Sequence, residues 1–236
     1  MIEVRPLSSL GGANHGWLDT KFHFSFADYF DQRRLHWGAL RVWNDDRIAP
    51  RSGFPPHPHS DMEIITYVRS GAITHKDSMG NTGRTGAGDV QVMSAGTGVQ
   101  HAEYNLEDVE TTLFQIWIVP DRDKLGSPPR WDMKPFPKGE RSGRFVTLAS
   151  GRKADDAGEA LPIYADARVM GATIPAGETV TVKLGEKRKA YLVPATGRIE
   201  VDGQEIGTRD GAAIADLDTI SVTAIEDAEV VLVETA

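Results

Sequence analysis

The chain has 236 residues, 40% hydrophobic and 25% charged, enough for one large β domain or two small ones. Its formal net charge of -8 argues against a large nucleic-acid footprint. The absence of cysteine excludes disulfides and thiolate metal sites, and no apolar run reaches the length of a membrane span.

The N-terminal stretch MIEVRPLSSLGGANHGW lacks the apolar centre of a signal peptide, so the cytoplasm is the expected compartment. In KFHFSFADYF, Phe22, Phe24 and Phe26 are expected to share one face in the core, with His23 on the other. His15 and His36 have no recognisable partner. EIITYVRSGAITH reads as two strands about a tight turn at Ser70-Gly71, with His75 beyond them in a loop. GDVQVMSAG, TTLFQIWIVP, ETVTVKL, AYLVPATGRIEV and AEVVLVET are further short runs rich in β-branched residues, bounded by turn residues. Such spacing predicts an all-β sandwich or barrel. RKADDAGEA, 152–160, is the best short helix candidate and reads equally well as a loop. GSPPRWDMKPFPKGERSG, 126–143, has four prolines and no apolar period, and reads as a connection between two lobes.

The two lobes resemble each other. YVRSGAITH parallels YLVPATGRIEV, and TTLFQIWIV parallels AEVVLVE, at an offset of about 124 residues. A duplicated β-barrel is the economical reading, with lobes at 1–125 and 144–236. All seven histidines precede residue 102. Thr181, Lys183 and Ala224 fall where His57, His59 and His101 would repeat, so the second lobe is expected to hold no metal.

Residues i and i+2 of a strand point to the same side. His57 and His59 in FPPHPHSDME can therefore reach one point, and His101 and Glu103 in GVQHAEYN repeat the spacing. Two such pairs on neighbouring strands supply three nitrogens and one oxygen, a set suited to Fe, Ni, Cu, Mn or Zn. Glu63 shares the parity of His59 if the strand has no bulge. It is either a fifth ligand or, as we favour, an acid behind the ligands.

These residues carry a resemblance. FPPHPHSDME matches the first cupin motif, with a longer gap to Gly71. GDVQVMSAGTGVQHAEYN resembles the second, with Ser94 in place of its proline and a longer gap before His101. Both departures are shown by the pirin family. NHGWLDTKFHFSFADYFD, ALRVWNDDRI, HKDSMGN and LFQIWIVP also resemble bacterial pirin-like proteins, the group assigned as quercetin 2,3-dioxygenase. The resemblance is dense over 13–120 and rests only on length and strand pattern over 140–236. It implies a bicupin of two tandem jelly-roll barrels. One metal, usually iron, sits in the first, on His57, His59, His101 and Glu103. It also implies a flavonol such as quercetin and O2 as substrates. Glu103, or Glu63 behind it, would then be the base, and Phe26, Met93 and Gln115 would line the substrate pocket. A competing expectation is a non-catalytic, iron-dependent regulator of a partner protein. A purely structural metal is the least favoured reading.

Overall fold

The computed structural model describes residues 1–155 and 158–236. Its strands are β1 (Ile2–Arg5), β2 (Gly11–Asn14), β3 (Leu18–Phe22), β4 (Leu40–Ile48), β5 (Ser52–His59) and β6 (Glu63–Ser70). Next come β7 (Ala72–Asp77), β8 (Thr82–Gly86), β9 (Val90–Ser94), β10 (Val99–Asn105), β11 (Thr111–Ile118) and β12 (Arg130–Lys134). The chain continues with β13 (Val146–Ser150), β14 (Leu161–Pro162), β15 (Ala167–Ile174), β16 (Thr179–Lys183) and β17 (Lys189–Thr196). It ends with β18 (Ile199–Val201), β19 (Gln204–Ile206), β20 (Gly211–Ile214), β21 (Thr219–Ala224) and β22 (Ala228–Thr235). Of the expected helix at 152–160, Asp156 and Ala157 lie outside the described residues, and Lys153–Asp155 form one 3₁₀ turn. Among the described residues no helix is long and apolar enough to cross a membrane.

The lobes share one plan. The first pairs a seven-stranded sheet, β12-β9-β6-β11-β4-β3-β2, with a four-stranded sheet, β5-β10-β7-β8. The second repeats the order as β1-β20-β17-β22-β15-β13-β14 and β16-β21-β18-β19. Each lobe is thus a two-sheet jelly roll whose hydrogen bonding does not close into a ladder. The fold is a bicupin, as the resemblance implies. The offset between lobes is not constant: Glu63 matches Lys189, whereas Thr111 matches Ala228, because the loops differ in length. Thr181 and Lys183 consequently face solvent, while Val180 and Val182 point inward beside Ala224.

Two edge strands depart from the expected lobe boundaries. β1 pairs with β20 of the second lobe, and β12, within the expected connection, pairs with β9 of the first. Each edge strand precedes one lobe and completes the other. An edge strand filled this way leaves no open row of backbone donors there.

The largest core lies between the two seven-stranded sheets. Trp43, Ile65, Tyr67 and Phe114 meet Leu148, Val169, Tyr191 and Val231 there. β11 shows why: Phe114, Ile116 and Ile118 face that interface, so Leu113, Gln115 and Trp117 must face the first lobe's interior. Full burial of each such large apolar side chain contributes about 1.5–3 kcal/mol. Polar ties reinforce the seam, where Arg209 and Arg69 both bind the buried Asp45. Ser70-Gly71 is a corner between the two sheets, not a hairpin. Gly71 sits at φ +73°, and a Cβ there would meet Thr111 Oγ1 at 2.6 Å.

The interiors of the lobes differ. The second is packed with aliphatic side chains from Met170 to Leu232. Among the described residues, the first has two small apolar clusters, about Ile73 and about Met93. Between them lie buried Thr66, Gln91, Glu103 and Gln115. Burying polar groups costs free energy unless they are partnered, which marks this interior as the place to look for chemistry.

Candidate metal centre

β5 is the edge strand of its sheet, so Pro58 between His57 and His59 removes no ladder bond that a central strand would need. β5 pairs with β10, and His101 stands opposite His57. The register shifts beyond that pair, so that Glu103 stands opposite Phe54. The shift turns Phe54 inward with the two histidines.

The three imidazoles converge. Ring centroids of His57, His59 and His101 lie 4.5–5.0 Å apart, and one ring nitrogen from each falls within 4.8 Å of the others. His57 Nδ1 lies 2.8 Å from the Pro55 carbonyl, which only accepts, so Nδ1 carries the proton and Nε2 keeps its lone pair. That Nε2 is 3.1 Å from His101 Nε2. Two nitrogens each about 2.0–2.1 Å from one ion, at right angles, are about 3 Å apart. Burial, with the neighbouring histidines adding to it, pushes His59 down to about 4 and His101 down to about 3. Both are therefore neutral near pH 7, the form that binds metal. The donor set fits a divalent metal.

Glu103 is buried alongside. Its carboxylate accepts from Gln91 Nε2 at 2.6 Å, Gln115 Nε2 at 2.8 Å and Thr66 Oγ1 at 3.2 Å. It groups with His101 and His75 in a second cluster that shares His101 with the first. Burial raises its pKa, against the pull of His75, His57 and the Thr66 and Gln115 hydrogen bonds.

His75 is not the loop residue expected. It lies on β7, fully buried, stacked on Trp131 at 4.7 Å with the rings 7° apart. Its Nε2 is 2.9 Å from Asp77 Oδ2, and its Nδ1 is 3.4 Å from His101 Nδ1. Burial pushes the Asp77 carboxyl up, but hydrogen bonds from His75 and Asn81 outweigh it and hold it below the usual range. An ionised Asp77 accepts the Nε2 proton of His75. His75 Nδ1 can then accept from His101, which aims His101 Nε2 at the cluster. The legible signal was parity: Ile73, His75 and Asp77 alternate along one strand. Replacing His75 by Ala is expected to weaken metal binding by about 10–100-fold, measured by competition with a chelator.

The other sequence candidates divide. Gln115 joins the cavity to Glu103, and its Oε1 accepts from Trp117 Nε1 at 3.1 Å. Phe26 lines the same cavity and meets Trp117 edge-on at 5.5 Å, while Trp117 meets His59 at 5.0 Å. Met93 is packed between Ile64, Ala95 and Val99 instead of on the cavity wall. Glu63 does not approach the histidines. Asp61, at φ 47°, breaks the chain between β5 and β6, and Glu63 begins a strand of the other sheet. There it accepts from Ser94 Oγ at 2.6 Å. The three phenylalanines do not share a face, because β3 ends at Phe22. Phe22 and Phe26 line the cavity, whereas Phe24 joins the core between the lobes. His23 is buried in that seam, 2.9 Å from the Tyr191 hydroxyl. His15 is exposed at the cavity rim, and exposed His36 contacts its neighbour Gly38.

The cavity measures about 680 Å³ and lies over β2, β3 and β4, with Trp17, Phe22, Phe26, Tyr29 and Phe54 on its walls. The sequence reading missed Asp46 on its floor. Burial, with the Asp45 and Glu103 charges adding to it and Thr20 and Arg69 opposing, pushes Asp46 up to about 7. Its ordinary value is near 3.8. The carboxyl therefore binds its proton more readily folded than unfolded, and its contribution to stability falls as pH rises from about 4 to about 7. Asp46→Asn should remove that dependence. Its stability relative to the parent should rise between pH 5 and pH 8 by about 3 kcal/mol, read from denaturant unfolding at both values.

Residues 3–118 match the family Pirin, and residues 147–235 match the family Quercetinase C-terminal cupin domain. A pirin-like protein of Caulobacter vibrioides is 64% identical, with all of both chains aligned. A quercetin 2,3-dioxygenase of Escherichia coli is 39% identical over 98% of this chain and 97% of its own. The crystal structure of the bacterial pirin YhhW from Escherichia coli in complex with nickel(II) superposes with a TM-score of 0.92 at 37% identity, covering 100% of this chain and 99% of that one. Full-length identity of this order, on a shared two-lobe fold, means that the chain belongs to the pirin family.

Proposed function

We propose that the protein is a metal-dependent dioxygenase that cleaves flavonols such as quercetin. One observation carries the reading: three converging imidazoles and a buried carboxylate stand beside an aromatic-walled cavity, joined to it by Gln115. The relatives named as quercetin 2,3-dioxygenases support the same substrate class. His57, His59, His101 and Glu103 would hold the metal, iron by this reading, with Ni, Cu, Mn or Zn also matched to the donors. Bound there, the metal would supply Lewis acidity at the substrate's hydroxyl–carbonyl edge and electron exchange with O2.

The chain's own groups do the rest. Glu103, with its raised pKa, takes the proton of the substrate hydroxyl. Gln91, Gln115 and Thr66 fix the orientation of its carboxylate. His75 and Asp77 hold His101 in one tautomer. Trp117 packs edge-on against His59 and Phe26 edge-on against Trp117, which ties the histidine cluster to the aromatic wall of the cavity. Overall one O2 is consumed, the flavonol heterocycle opens to an ester, and one carbon leaves as carbon monoxide. By this reading the reaction takes place in the cytoplasm.

The test is oxygen uptake by metal-loaded protein given quercetin, with loss of flavonol absorbance and release of carbon monoxide. If several flavonols elicit no uptake, the dioxygenase reading falls and regulation of a partner protein takes its place.

A further inference from the structure

The cavity holds buried polar groups that the metal chemistry leaves unused. Asp46 and Asn44 lie on β4, and Thr20 faces Asp46 across the β3–β4 ladder. Asp46 is 2% exposed and Asn44 4%. Asp46 Oδ1 and Asn44 Oδ1 have no hydrogen-bond partner among the described residues, although both side chains line the cavity, and the Thr20 hydroxyl stands beside Asp46 on the same wall. Leaving such groups unpartnered is costly, so they point to a ligand. Asn44 Oδ1 only accepts, as does Asp46 Oδ1 when ionised, so the ligand must present donors. The walls of Trp17, Phe22, Phe26, Tyr29 and Phe54 favour a flat aromatic body. The volume of about 680 Å³ lies in the range of small-molecule sites. Gln115, paired with Asn44 across the β11–β4 ladder, also binds Glu103 and so connects this floor with the histidine cluster.

We propose that Asp46, with Asn44 and Thr20, is a second anchor of the cavity, accepting hydrogen bonds from phenolic hydroxyls of a flat polyhydroxylated ligand whose chelating edge reaches the histidine cluster. This assignment rests on the flavonol reading and adds to it a basis for selectivity.

Two flavonols separate the anchor from the metal edge. Quercetin carries the chelating hydroxyl–carbonyl pair and further hydroxyls, whereas 3-hydroxyflavone carries the pair alone. Their binding to metal-loaded parent, Asp46→Leu and Asp46→Asn proteins is followed by fluorescence titration. The parent is expected to prefer quercetin. Asp46→Leu should lose about 10–100-fold in quercetin affinity, the range of a hydrogen bond to a charged group, with 3-hydroxyflavone affinity little changed. Asp46→Asn keeps shape and an acceptor and should retain part of the preference. The readout is the ratio between ligands in one sample, so a general loss of folded protein does not mimic it. If Asp46→Leu does not fold, Asp46→Asn decides by the same ratio. Equal losses for both flavonols, or unchanged quercetin binding because water serves Asp46, would overturn the anchor and leave the flavonol reading standing. Failure of the parent to bind either compound refutes both.

Discussion

Replacing Glu103 by Gln is expected to lower flavonol turnover by about 10²–10⁴-fold, the usual loss on removing one positioned acid–base group. The change keeps the size of the side chain and removes its ability to take a proton. It also puts an NH2 group where Gln91, Gln115 and Thr66 now donate, so at least one of those bonds is lost. His57, His59 and His101 are untouched, so part of the metal should stay bound. The two quantities to measure are kcat and metal per chain. Turnover within tenfold of the parent would remove Glu103 as the base. Complete loss of metal would make it chiefly a ligand.

The His57→Ala, His101→Ala double variant is expected to bind essentially no metal while keeping its fold. The facing nitrogens of His57 and His101, 3.1 Å apart, disappear, leaving His59 alone of the three. The fold should survive because these side chains lie outside the main core. That core is the seam between the seven-stranded sheets, and His57 stands half-buried on an edge strand. Elemental analysis reports the metal, and circular dichroism with thermal unfolding reports the fold. Full metal occupancy in a folded double variant would falsify the assignment of these ligands.

Local order along the chain was enough to read much of this protein. The period of two in a β-strand links His57 with His59 and His101 with Glu103 without knowledge of any contact. Turn residues between β-branched runs specify an all-β chain. The repeated run order indicates two lobes, which the matching sheet orders bear out. Parity fails where strands stop. Glu63 and the Phe22–Phe26 face were misread because a left-handed Asp61 and the end of β3 reset the alternation.

Tertiary structure decided what depends on which strands become neighbours. His75 becomes a support for His101 only because β7 pairs with β10, placing Glu103 opposite His75 and His101 opposite Asp77. Asp46 becomes a buried, proton-binding group only because β4 lies between β3 and β11 under the aromatic walls of the cavity. The exchange of β1 and β12 between lobes follows from long-range pairing alone. Alternation is a property of consecutive residues and is written in the sequence. Register between strands, and the burial that shifts a carboxyl from near 3.8 to about 7, arise only when distant segments exclude water from one another.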